Sequence, residues 1–173
     1  MHAFDAENRI IRYNRAEDIC AEHYRIRLEA YVRRKEALER RYSFDEAIAS
    51  AKSKFISSIV SGDIKIMRSS GGTLPMSELT AILSSSGFMP YEALKAKFLA
   101  SSIEQVDDEG HGFSYLVNMP LQTLTSERAS ALHKQALEAM HRLNSLRKHS
   151  PQSLWREDLE RLKQQLLHLN RSQ

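Results

Sequence analysis

All six glycines of this chain, Gly62, Gly71, Gly72, Gly87, Gly110 and Gly112, fall between residues 62 and 112. No proline precedes Pro75, and the others are Pro90, Pro120 and Pro151. Glycine and proline are the strongest interrupters of helices. Their placement divides the chain into a breaker-free arm, a turn-rich middle and a second arm interrupted once.

The first arm begins with a strand-like piece, Arg9-Ile10-Ile11-Arg12-Tyr13, β-branched and partly alternating. Asn14 with Glu17 and Asp18 then marks a helix start, with acids facing the positive end of the dipole. Apolar residues recur at Tyr24, Leu28, Tyr31, Leu38 and Tyr42, and again at Phe44, Ile48, Ala51, Phe55 and Ile59. The phases differ between Tyr42 and Phe44, an offset of the stutter type. Ser43-Phe44-Asp45-Glu46 matches a capping box. Two alternatives stay open: a break there, or one continuous helix of about 70 Å at ~1.5 Å per residue.

The second arm starts at Thr125. Ala129, Leu132, Ala136, Ala139, Leu143 and Leu146 form a 3-4-3-4-3 seam. Ser150-Pro151 ends that helix and opens another, with Ser as N-cap and Pro at its first position. There Trp155, Leu159, Leu162, Leu166 and Leu169 continue a heptad spacing. The expected pairing is antiparallel within the chain. Leu28, Tyr31, Leu38, Ile48 and Phe55 face Leu132, Leu143, Leu146, Leu159 and Leu162, with Phe55 near Leu132. Between the arms lie a β-like piece (Ile64–Met67), short helices over 77–83 and 91–100, an acidic loop over 104–112, and the apolar run 113–121. The fold class is mainly α: a long antiparallel coiled-coil hairpin with a small, mostly helical head that carries short β pieces.

Chemistry is sparse. Gly71-Gly72 lacks the Lys-Ser/Thr of a phosphate-binding loop and reads as a turn. The seven histidines show no HxxxH spacing, and Asp107-Asp108-Glu109 lies in the acidic loop, so no metal site is expected. Cys20 is the single cysteine. It excludes a disulfide scaffold, points to a reducing compartment, and without a neighbouring base reads as inert packing. No nucleophile–base pair stands out, and catalytic residues are expected to be absent. No apolar run approaches the length of a membrane span, and residues 1–5 do not form a signal peptide.

The charge balance, 25 Lys+Arg against 22 Asp+Glu, excludes a histone-like polycation. Between Arg9 and Arg41, ten basic residues face six acidic ones. Arg9, Arg12 and Arg15 flank the strand–helix junction and are the candidates for phosphate contact with DNA. Beyond Arg27 the pattern reads as a solvated helix face with pairs such as Glu29–Arg33 and Glu36–Arg40.

Taken in order, these segments resemble one family. Phe4-Asp5, Ile10 to Tyr13 and Ile19 to Lys35 are similar to the "FD…I.KY…I…FY..RL.YY..RK" stretch of eukaryotic-type DNA topoisomerase II. Ala51 to Ile56 with Gly62 to Ile66 resembles "ARFI…I.GK"; Phe113 to Leu121 with Leu124-Thr125 resembles "F.YLL.MP.W.LT"; Ser150 to Leu159 resembles "SP.DLWKEDL". Departures are Gln122 in place of Trp, an atypical Ser43 to Ile48, and a short charged insertion before Phe113.

The resemblance implies the coiled-coil arm and C-terminal gate of the DNA breakage-reunion core. Residues 1–15 would be a strand-like remnant of a preceding domain, 16–61 the ascending arm, 62–124 the globular gate head, and 125–173 the descending arm. It implies a non-catalytic piece of a larger nuclear (or mitochondrial) homodimeric enzyme. That enzyme uses ATP and Mg²⁺ in segments outside this chain, and no cofactor sits here. With the apolar character of 113–121, it points to a head-to-head contact of Tyr115, Leu116, Met119, Leu121 and Leu124. The alternative for those residues is the head's own core. The alternative for the chain is a homodimeric coiled-coil adaptor unrelated to topoisomerases, with a small metal-dependent nuclease a distant third.

Overall fold

The computed structural model describes residues 1–66, 72, 74–99, 111–120 and 125–171. Among these described residues, two strands and six helices follow in order: β1 (His2–Phe4), β2 (Ile10–Arg12), α1 (Ala16–Val60), α2 (Met76–Ser85), α3 (Tyr91–Leu99), α4 (Ser114–Val117), α5 (Ser126–Lys148) and α6 (Pro151–Arg171). The capping box at Ser43 does not interrupt α1, which runs unbroken for 45 residues. Ser and Asp are tolerated mid-helix when the rest of the stretch lacks glycine and proline. Ile64 to Ile66 form no strand; the Leu74 amide donates to the Ile66 carbonyl instead. The acidic-loop residues 104–110 lie outside the described residues.

The chain divides into two compact units, Met1–Leu38 with Leu146–Gln173, and Glu39–Ser145. In the first, β1 and β2 pair antiparallel, with Ala3 opposite Ile11. The turn between them is built by Asp5, buried at 8% exposure. Its carboxylate accepts from the Arg9 amide, the Arg9 guanidinium and the Glu7 amide, bonds that, the Arg9 amide foremost, hold it below the ordinary carboxylate value. Asn8 completes the turn with a left-handed φ of 60°, a conformation its short polar side chain allows. Tyr13 donates to Glu22 on α1 and is pushed up to about 12, the bond to Glu22 being the main cause. The α1 start is capped by Asp18, which accepts from the Arg15 amide.

The second unit holds the main apolar core. Phe44 and Phe55 of α1 pack with Leu79 and Leu83 of α2, Tyr91 and Leu94 of α3, and Tyr115 and Leu116 of α4. Phe55 meets Phe88 edge-on at 6.1 Å, and Phe44 meets Tyr91 likewise at 5.8 Å. Gly87, at φ +78°, ends α2 and turns the chain toward α3. On the opposite side Ile56 packs with Ala129 and Leu132 of α5, and Ser53 Oγ donates to the Ala129 carbonyl at 3.1 Å. Residues near Phe55 thus meet residues near Leu132, as the seam predicts. Five of the six α5 seam positions, Ala129, Leu132, Ala136, Leu143 and Leu146, are buried.

The seam reaches α6 at Trp155, which packs against Tyr31 and Tyr24 of α1, but its leucines are poorly covered. Leu159 and Leu162 are 51% and 50% exposed, and Leu166 and Leu169 are no better covered. Leu159 and Leu162 are thus not the buried seam residues expected. Ser150 caps a new helix by accepting from the Ser153 amide, as the Ser-Pro pair predicts.

Candidate functional site

The residues expected to touch DNA sit at the β-ribbon and the α1 start. Arg9 is spoken for: its guanidinium bonds Asp5 at 2.8 Å and Glu7 at 3.0 Å. Arg15 lies 3.8 Å from Asp18. Arg12 stands exposed on β2, directly across from His2 on β1. Its face of the ribbon also carries Phe4 and Ile10, a cross-strand pair with both members 69% exposed. Of the three arginines, Arg12 has the least competition from carboxylates.

The residues expected to build a dimer contact are placed unequally. Tyr115 and Leu116 are buried in the core of the second unit, at 4% and 0% exposure. The Tyr115 hydroxyl donates to the Met89 carbonyl at 2.8 Å, and burial pushes it up to about 12. Met119 is half-buried and packs against both the α2–α4 core and the Ile56–Leu132 cluster. Leu121 and Leu124 lie outside the described residues.

Sequence reasoning missed a cluster in the first unit. Trp155 of α6 packs its ring against Tyr24 at 5.3 Å, Tyr31 at 5.8 Å and His23 at 6.3 Å. One turn on, Asp158 accepts from the Tyr31 hydroxyl at 2.8 Å and the Arg34 guanidinium at 2.5 Å. Those two bonds, Arg34 foremost, hold Asp158 below the ordinary carboxylate value. Lys35 Nζ donates to the Arg147 carbonyl at 3.3 Å. Arg27 and Arg34 both lie over the Tyr31 ring at 5.3 Å. Arg34 therefore joins this cluster while staying half exposed, and Glu29 pairs with Arg25. The available signal was Tyr31 and Trp155 sharing the seam, though nothing in periodicity pointed to Asp158.

Two other expectations concern chemistry. Cys20 is exposed, so it is not the packed residue its apolar neighbours suggested. Ile19 and Ala21 flank it in sequence but lie about 100° away around the helix. Among the described residues no group of three or more His, Cys, Asp and Glu could hold a metal ion. None of their helices is long and apolar enough to cross a membrane.

A helical scaffold with a small aromatic core and interfacial cations is thus the class of protein these residues define. Residues 1–160 match the A-subunit family of DNA gyrase/topoisomerase IV, and the chain belongs to that family. It is 31% identical over 170 residues to DNA topoisomerase 2 of Penicillium chrysogenum, covering 91% of this chain and 10% of the relative. It is 32% identical over 168 residues to DNA topoisomerase 2-alpha of Gallus gallus, covering 92% and 10%. The structure of the Plasmodium falciparum topoisomerase II DNA-binding, cleavage and re-ligation domain superposes on it with a TM-score of 0.78 at 26% identity. That match covers 100% of this chain and 24% of the other. The chain spans about a tenth of the length of these curated relatives.

Proposed function

We propose that this chain is the coiled-coil arm and C-terminal dimer gate of an ATP-dependent type II DNA topoisomerase, and that it carries no catalytic residue of its own. The observation that supports this best is the match to the cleavage and re-ligation domain over the whole chain, with a long uninterrupted α1 leading into a small aromatic-cored unit. On this reading the whole enzyme is a nuclear homodimer (a mitochondrial form is the alternative). It acts on DNA and uses ATP and Mg²⁺ at sites in other segments.

The gate contact is an isologous one, the same patch on both copies about a two-fold axis. Tyr115 and Leu116 shape that patch from within, and Met119 is the described member that reaches the surface. Sedimentation of the wild-type chain and of Met119→Asp tests it. A dimer that becomes a monomer with unchanged helicity supports the gate. A dimer unaffected by the substitution, with helicity retained, overturns it.

DNA contact rests on Arg12, with Arg9 and Arg15 shared with acids. Few phosphate contacts make binding weak and steeply salt-dependent. Arg12→Glu should weaken filter retention of duplex DNA more than Arg15→Glu does. Tight binding that persists at high salt would contradict the assignment.

The adaptor reading is favoured by one observation, the exposed leucine row of α6. If Leu162→Asp abolishes the dimer while Met119→Asp does not, the scaffold reading replaces the gate.

A further inference from the structure

In the second unit a groove of about 230 Å³ opens between α1, the α2–α3 turn and α3. Its floor is made by Ala47, Ser50 and Ala51, at i, i+3 and i+4 of α1. That spacing puts three small side chains on one helix face, and their size creates the hollow. Phe88 and Phe98 form apolar walls. Two ammonium groups lie against those walls: Lys54 Nζ stands 5.0 Å from the Phe88 ring centroid, and Lys97 Nζ 5.3 Å from that of Phe98. Lys54 also donates to the Ser86 carbonyl at 3.2 Å, which fixes its reach. Neither lysine pairs with a carboxylate among the described residues.

We propose that this groove binds small aromatic carboxylates. This goes beyond the gate reading and does not depend on it. A planar ring has room over a floor without branched side chains, beside the aromatic side chains that line the groove. The acid group then accepts from the two ammoniums at the rim, and bonds to charged groups are among the stronger contacts a shallow site can offer. Pockets that hold drug-sized ligands run to about 300–1,000 Å³. A groove of 230 Å³ selects a single ring with a short acidic tail. Glu46 also lines the groove, so the two ammoniums must outweigh its repulsion of the ligand's acid group.

The test titrates the folded chain with 3-phenylpropanoate, following amide shifts of Ala51, Phe88 and Phe98 and saturation transfer to the ligand. The amine and alcohol of the same skeleton serve as controls. The acid should bind, the alcohol should bind about tenfold more weakly, and the amine should not bind. The double variant Lys54→Gln/Lys97→Gln should lose about tenfold or more in affinity. Ser50→Leu, at an exposed position on α1, should retain helicity by circular dichroism yet lose binding because its side chain fills the floor. Three results would overturn the proposal: no binding of the acid to wild-type protein, equal binding of the alcohol, or unchanged binding to a folded Ser50→Leu variant.

Discussion

The two compact units of this chain solve the same problem with different chemistry. Glu39–Ser145 surrounds Phe55, Leu83 and Leu116 with other apolar side chains, and its edge-to-face ring pairs fill space from several helices. Met1–Leu38 with Leu146–Gln173 has few fully buried apolar residues. It is fastened instead by Asp5 in its turn, by Tyr13 on Glu22, and by Asp158 reaching Tyr31 and Arg34. Burial of apolar area is non-directional and large. Hydrogen bonds to half-exposed charged groups are directional and individually modest. The first unit should therefore hold its geometry through a few named bonds, and the second should hold its stability through volume.

The sharpest way to break this contrast is Phe55→Ala. It empties a site at 1% exposure and should cost about 3–5 kcal/mol in chemical denaturation followed by far-ultraviolet dichroism. A loss below about 1 kcal/mol would mean that the aromatic core is not what holds the second unit. Gly87→Ala comes next. A Cβ there meets no atom within 4 Å, so the penalty of about 1–2 kcal/mol comes from the left-handed φ alone. Asp158→Ala should cost about 1 kcal/mol, discounted because the Arg34 side chain is half exposed. It should also shift the emission of Trp155, the single tryptophan, one turn away on α6.

The acid response sharpens the same point. The carboxyl of Asp158 sits lower in the folded chain than its ordinary value of 3.8. Its stabilisation is therefore present above that value and is lost as pH falls through the depressed folded one. Trp155 emission should move in acid below pH 3.8 in the wild type, and the Asp158→Ala variant should lack that step. The smallest effect is expected for Leu162→Ala. At 50% exposure it should change stability by less than about 0.5 kcal/mol, whereas a buried seam leucine would lose several times more.

Legibility in the sequence followed the same division. Glycine and proline placement gave the helices, and the 3-4 spacing of Ala129 to Leu146 gave their buried face, because both effects are local and periodic. The restart at Ser150-Pro151 was readable from capping chemistry. The exposure of Leu159 and Leu162 was not, since heptad spacing says which residues share a face but not what covers it. Ile64 to Ile66 carried β propensity with no partner strand among the described residues. Among the candidate contacts, Arg9 stood out by charge, yet Asp5 four residues earlier claims it. Tyr115 and Leu116 were legible as apolar and important, while their side of the surface was set by helices distant in sequence.

The leucine row of α6 has a consequence for how the protein behaves in a tube. Leu159, Leu162, Leu166, Leu167 and Leu169 leave a nearly continuous oily strip in water, on a chain whose net charge is only +3. Attraction between such strips strengthens on warming from the cold and in sulfate or phosphate, and weakens in urea. Solubility should accordingly be greatest near 0 °C in chloride and lowest at room temperature in sulfate. That order is the reverse of what charge-driven clumping would give on adding salt.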